Sequence, residues 1–201
     1  DLGLVGGQAY FYRLSELLLN STTNVLAFAS TVPLSGTLPI QVLTVGGLNG
    51  QFANIGAALA AVTLPGSVIR VNSGTYPPFA IDDTIPPSFR ITGDSSGSVF
   101  IDTTTGPVTV DDLLFGQSLH IQGLFIGQAS STHPGLVITN SEASVFLDEL
   151  SVLGGIGQPG INLVGSRFVT IQRCACDGTP GLRASGNSLV SLGRSATGSF
   201  E

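Results

Sequence analysis

Pro-Gly recurs at 134/135, 159/160 and 180/181, intervals of 25 and 21 residues, and each time opens the same pattern. "HPGLVITNSEASVFLDEL", "QPGINLVGSRFVTIQRC" and "TPGLRASGNSLVSLGRS" each continue with an alternating apolar pair, cross a small polar corner and enter a second alternating run. The second runs align on Ile121, Leu147, Ile171 and Leu192, at intervals of 26, 24 and 21 residues. A period in the low twenties filled by short strands and turns is the signature of a solenoid. Helix-pair repeats do not fit, because no unit holds ten uninterrupted helix formers, and the Leu-x-x-Leu-x-Leu frame of leucine-rich repeats is missing. The pattern therefore predicts an all-β chain, a right-handed parallel β-helix whose rungs of about three strands stack ~4.8 Å apart.

The alternation assigns faces. "LHIQGLFIG" puts Leu119, Ile121 and Phe125 on one side. "SVFLDEL" puts Val145, Leu147 and Glu149 opposite Phe146 and Asp148, and "FVTIQRCAC" puts Val169, Ile171 and Arg173 opposite Thr170, Gln172 and Cys174. An inward Glu149 or Arg173 would bury an unpaired charge, so both are expected past the strand ends, at corners. "SVIRVNSGTY", "FAIDD", "SFRITGD", "SVFID" and "PVTVDDLLF" read as earlier, less regular rungs. Leu192 is expected to join Ile121, Leu147 and Ile171 in one buried column.

Composition agrees and excludes several roles. The 27 glycines and 11 prolines among 201 residues favour corners over long helices. Charged residues are only 10% and the net charge is −6, with no Lys, so no basic patch for nucleic acid is expected. No stretch reaches the ~20 apolar residues of a membrane span. The sparse charge and a mean hydropathy of +0.42 point to a surface partly covered in the working state. The chain starts on Asp1 without a basic start and apolar core, which reads as a processed chain or a piece of something larger. Cys174 and Cys176 lie two apart, on one face of a strand. They are open to three readings: small buried hydrophobes, a local disulfide, or half a metal site.

Before the first rung, Phe52, Ile55, Leu59 and Val62 recur at helical spacing, with Asn49 near the start and Pro65-Gly66 at the end. This predicts a short N-terminal helix over about 51–62 that caps the open end of the column, whose strand edges would otherwise be free to pair. "VLTVGGLNGQFANIGAALAAVTLPGSVIRVNSGTYPPFAI", followed by "FRITGD", resembles the N-terminal signature of the pectin-lyase-like superfamily of right-handed parallel β-helix proteins. In that pattern a strand and capping helix lead through Pro-Gly to a Val/Ile strand and a Gly-Thr-Tyr turn. The resemblance covers roughly residues 42–95 and implies the fold; the superfamily itself spans lyases, hydrolases, esterases, tailspikes, adhesins and structural proteins.

Two domains follow: a flap or assembly segment over 1–40, and a β-helix domain over 41–201 whose C-terminal end falls mid-rung, leaving strand edges unpaired. In the first, "QAYFYRLSELLLNS" reads as a helix with Phe11, Leu14 and Leu18 on one stripe, and "NVLAFASTVPLSG" as a strand with a turn. Asn20-Ser21-Thr22 is a glycosylation tripeptide.

For chemistry, the resemblance implies clustered acids holding calcium with an Arg or Lys base in lyases, or three nearby aspartates with Gly-His-Gly and Arg-Ile-Lys in hydrolases. Neither the His nor the Lys motif occurs, and the Trp-bearing esterase pattern is missing. The local candidates are Asp111 and Asp112, with Asp94 and Asp102 on neighbouring turns. Adjacent acids in a strand point to opposite faces, so Asp111 and Asp112 share a groove only if they sit in a turn. Asp82-Asp83 reads as a turn, Asp148-Glu149 with Glu142 as a source of calcium oxygens, and His120 and His133 as structural. The absence of Trp and the presence of only three Tyr argue against a sugar groove. The expected function is thus structural: a self-associating β-helix module, homo-oligomeric or polymeric, of a secreted, cell-surface or virion assembly, with no cofactor and no assigned catalytic residue. The alternatives are a polysaccharide lyase or glycoside hydrolase acting through Asp94, Asp102, Asp111 and Asp112, with calcium as its cofactor, and a glycan-binding adhesin.

Overall fold

The computed structural model describes residues 41–94, 98–186 and 188–193 in full, and the backbone of 10–17, 23–31 and 197–198. The chain divides into two compact units, Asp1–Ile40 and Gln41–Glu201. In the first, β1 (Tyr10–Leu17) and β2 (Thr23–Thr31) form an antiparallel pair with Tyr10 opposite Thr31 and Leu17 opposite Thr23. The helix expected over this stretch is therefore a strand. Its run of Tyr10, Phe11 and Tyr12 suits a pleated surface better than a helix, and a partner strand lies close in sequence. Leu18 and the Asn20 tripeptide lie outside the described residues.

The second unit is a parallel β-solenoid of about six turns. Its seven-stranded sheet contains β3 (Val42–Val45), β4 (Ser67–Val71), β7 (Phe89–Gly93), β10 (Ser118–Gln122), β13 (Ser144–Asp148), β16 (Val169–Gln172) and β19 (Val190–Leu192). A six-stranded sheet contains β5 (Gly74–Tyr76), β8 (Val99–Ile101), β11 (Phe125–Gly127), β14 (Ser151–Leu153), β17 (Ala175–Asp177) and β20 (Thr197–Gly198). The five-stranded sheet is β6 (Ala80–Ile81), β9 (Val108–Asp111), β12 (Leu136–Thr139), β15 (Ile161–Val164) and β18 (Leu182–Ser185). Every strand pairs with its counterpart one turn away, so the repeat in sequence is a repeat in space.

Register carries each apolar position onto its equivalent. Leu43, Ile69, Ile91, Ile121, Leu147, Ile171 and Leu192 stack in order along the seven-stranded sheet. All are buried except Leu192, which is 47% exposed. The column is in the expected register, but its last member is not buried: β19 is the outermost strand of its sheet, and among the described residues no further strand or helix covers Leu192 as α1 covers β3 at the other end. Phe125 also departs from expectation: Gly123 turns the corner with φ +72°, which resets the alternation so that Leu124 and Ile126 point inward. Phe125 then stacks on Phe100 at 4.9 Å, one rung earlier.

The Pro-Gly corners stack as well, since Leu136, Ile161 and Leu182, which follow them, are in register. A Cβ on Gly160 would lie 2.6 Å from the Asp177 carbonyl oxygen and 2.7 Å from that of Gly181, so the packed corners exclude a side chain. The predicted N-terminal helix is present but short: α1 spans Ile55–Leu59 rather than 51–62. Its N-cap is Asn54, whose side-chain oxygen accepts from the Ala57 N–H at 2.8 Å, while Phe52 is still extended and bridged to Val45. Ile55, Ala58 and Leu59 are buried, and the helix packs against β3 and β4. Gly74-Thr75-Tyr76, expected as a turn, is strand β5, because it pairs with Val99–Ile101 one rung on; Tyr76 points inward and donates to the Asn72 carbonyl at 2.8 Å, its ring passing so close to Gly46 (φ +68°) that no Cβ would fit there.

Candidate functional site

Inward positions are filled by the core, so any chemistry must sit on outward residues, and register decides which of these meet. The four candidate carboxylates are spread over three sheets. Asp94 follows β7 and accepts from the Ser73 N–H at 3.2 Å; Asp102 follows β8 and accepts from the Thr104 N–H at 3.0 Å. Asp111 ends β9 and accepts from the Thr139 hydroxyl one rung on, while Asp112 turns the corner with φ +54°. Asp112 therefore does sit in a turn, and each of the other three carboxylates serves its own local hydrogen bond. Asp82 likewise closes a turn on the Thr84 N–H at 3.0 Å. No group of three or more His, Cys, Asp or Glu among the described residues stands close enough to hold a metal ion.

The outer face of the seven-stranded sheet is different. Arg90, His120, Phe146 and Thr170 lie side by side in one row, and Thr92, Gln122, Asp148 and Gln172 in the next. Asp148 points outward yet its side chain is only 4% exposed. Arg173, at the corner after β16, covers it: Nε donates to Oδ1 at 2.8 Å and Nη2 donates to Oδ2, a bidentate fork. Nη1 of the same guanidinium lies 3.0 Å from Glu149 Oε1, and the other Glu149 oxygen accepts from Gln122 Nε2 at 2.9 Å. Glu149 and Arg173 sit at corners, as expected, each with φ +51°. Their charges meet across rungs instead of facing the core.

The titration shifts follow from this geometry. The Arg173 hydrogen bonds hold the Asp148 carboxyl below its ordinary 3.8, against the opposing effect of burial. Burial, and then Arg90, push His120 below 6.5, with Asp148 pulling the other way and Arg173 adding to the decrease. His120 Nε2 is 3.9 Å from Asp148 Oδ2 and is buried without a hydrogen-bond partner. Asp148 and Glu149, two of the three acids expected as calcium ligands, are thus both paired with the Arg173 guanidinium. His133 lies in the turn before β12, its N–H donating to the Ser131 hydroxyl at 3.0 Å.

Along the starting edge of the same face, three adjoining depressions of about 270, 280 and 300 Å³ form a furrow. The first shares Ser118 with the second and Phe146 with the third, and the second and third share Ser144 and Phe168. Phe115, Phe146 and Phe168 are exposed along it, Arg90 and His120 lie toward one end, and Leu189 toward the other. Neither the furrow nor the Asp148–Arg173 fork was expected from sequence. The repeat alignment contained the signal: the residue preceding each column position is outward, so His120 and Phe146 had to be neighbours once Ile121 and Leu147 were.

Cys174 and Cys176 are both buried free thiols. Burial pushes the Cys176 thiol up to about 12 and raises that of Cys174. They pack as small hydrophobes, with Cys176 in register with Val152. No helix among the described residues is long and apolar enough to cross a membrane. No protein-family model matches the chain, and no curated protein or solved structure matches it either. The chain is a parallel β-solenoid by its own architecture.

Proposed function

We propose that the chain is a rigid structural β-solenoid module that self-associates, a non-catalytic relative of the pectin-lyase-like β-helices working in a secreted, cell-surface or virion assembly. The observation that carries this reading is the strip of exposed apolar side chains, Phe115, Phe146, Phe168 and Leu189, on one outer face. Apolar patches on a surface with so few charges favour association. Burying these rings against a second copy removes them from water at roughly 25 cal/mol per Å². Residues 1–40 are a second candidate contact. Light scattering over a wide concentration range tests the proposal: the intact chain is expected to form larger species, reduced by Phe146→Ser with Phe168→Ser. A monomer at all concentrations, indifferent to both substitutions and to deletion of 1–40, would overturn it.

A glycan-binding adhesin is the second reading. Phenylalanine rings beside Ser118, Ser144 and Arg90 offer faces for sugar C–H groups and donors for hydroxyls. Binding to immobilised polysaccharides that is lost in Phe146→Ala, with the oligomeric state unchanged, would favour it over self-association. The polysaccharide lyase or hydrolase reading has less support, since Asp94, Asp102 and Asp111 lie at the ends of strands from three different sheets. Calcium-dependent cleavage of pectate or alginate abolished by Asp111→Ala would restore it.

A further inference from the structure

We propose that His120, Asp148 and Arg173 form a proton-sensitive latch that keeps the corner between the seven- and six-stranded sheets closed at neutral pH and releases it in acid. The latch spans three successive rungs: His120 on β10, Asp148 on β13, and Arg173 just beyond β16. The corner it holds is not one the backbone favours. Glu149 and Arg173 both occupy the left-handed region at φ +51°, which a side-chain-bearing residue adopts only when its surroundings enforce it. The equivalent corner one rung earlier uses Gly123. The network braces this corner alongside backbone hydrogen bonds such as Glu149 N–H to the Gln172 carbonyl at 3.3 Å, with Arg173 forked on Asp148 and paired with Glu149, and Glu149 held by Gln122.

His120 is the element that can disturb this arrangement. The charged groups facing it are Arg90 on β7, Asp148 on β13 and Arg173 beyond β16: two guanidiniums and one carboxylate. That carboxylate is already neutralised by Arg173. A proton on the imidazole adds a third positive charge to a half-buried cluster in which two guanidiniums already balance the Asp148 and Glu149 carboxylates. The closed corner therefore resists protonation, consistent with the depressed titration of His120. Once the corner opens, the imidazole regains water and its ordinary proton affinity. Protons then bind the open form better than the closed one, so falling pH shifts the equilibrium toward opening by up to about tenfold per pH unit.

Cys174 reports the event, because it follows Arg173 directly and is buried beneath the corner, its thiol directed at the Gln172 carbonyl 3.1 Å away. Cys176, two residues further into β17, reports global unfolding instead. The unmodified chain is pulse-labelled between pH 7.5 and 5 with dithiodipyridine, which reacts with thiols in acid. Label is located by tandem mass spectrometry, and rates are normalised to the urea-unfolded chain at each pH. The expected result is a normalised Cys174 rate that rises as pH falls, by up to about tenfold per pH unit, with Cys176 still protected. In His120→Gln the Cys174 rate is expected to stay flat. A rate independent of pH in the unmodified chain, an equal rise in His120→Gln, or labelling of both thiols together would overturn the latch. Should His120→Gln fail to fold, NMR of the unmodified chain decides. The Arg173 Nε–H resonance must change with the midpoint of the His120 imidazole, and an Arg173 signal unmoved through that titration overturns the proposal.

Discussion

Shortening Leu147 to Ala should destabilise the solenoid far more than shortening Leu192, although the two occupy the same column two rungs apart. Leu147 has no exposed surface and lies between Ile121 and Ile171. Those neighbours cannot close the gap, because the strands that carry them are held at ~4.8 Å by continuous hydrogen-bond ladders. The full cavity term then adds to the lost transfer energy, which places Leu147→Ala in the upper part of the usual range, about 3–5 kcal/mol. Leu192 is 47% exposed and has a neighbour on one side. Only about half of the ~1.5–3 kcal/mol for burying a leucine applies there, with no enclosed cavity, so Leu192→Ala should cost about 1 kcal/mol. Against a total stability of ~5–15 kcal/mol, the first value is a large fraction. Urea unfolding of both variants, followed by far-UV circular dichroism, measures the difference through the shift in midpoint at constant slope. Equal losses for the two variants, or a loss below about 1 kcal/mol for Leu147→Ala, would refute the view that enclosure within the column sets the energetics.

Other expectations follow from single contacts. Gly160→Ala should destabilise the fold, because its Cβ would meet the carbonyl oxygens of Asp177 and Gly181, whereas Gly106→Ala, with open space around it, should be neutral or stabilising by about 0.4–1 kcal/mol; the same urea assay compares them. Neither thiol should react with a thiol reagent at pH 8 in the folded chain, and two per chain should react in denaturant, given the burial of Cys174 and Cys176. Because the Asp148 carboxyl titrates below its ordinary 3.8 in the fold, its contribution to stability is complete above that value and is lost as pH falls from there through the depressed folded-state value. Asp148→Asn should therefore lower stability at pH 7 and flatten its dependence on pH below 3.8, as read from melting temperatures across acid buffers.

The sequence alone determined the solenoid. Its period, its Pro-Gly corners and its two-residue alternation are local properties of the backbone: an apolar residue every second position builds an inner face, and a glycine sits where corners touch. Such signals survive whatever the distant neighbours are, so the columns through Ile121, Leu147 and Ile171 could be read before any coordinates. The corner placement of Glu149 and Arg173 followed from the cost of burying an unpaired charge, whereas Cys174, set opposite Ile171 by the alternation, is buried because the corner at Arg173 (φ +51°) resets it. Tertiary structure decided what the local pattern leaves open. Residues 10–17 became a strand because a partner strand was at hand, α1 began at its own cap, Asn54, and Phe125 faced outward because Gly123 reset the alternation. Above all it decided the outer face. The partners Arg90, His120, Phe146 and Thr170 are 30, 26 and 24 residues apart, spacings set by corners of unequal length. Which charge meets which ring or carboxylate is therefore fixed only when the turns are wound. An outward Asp148 becomes a buried, guanidinium-bound acid because the next turn brings Arg173 over it.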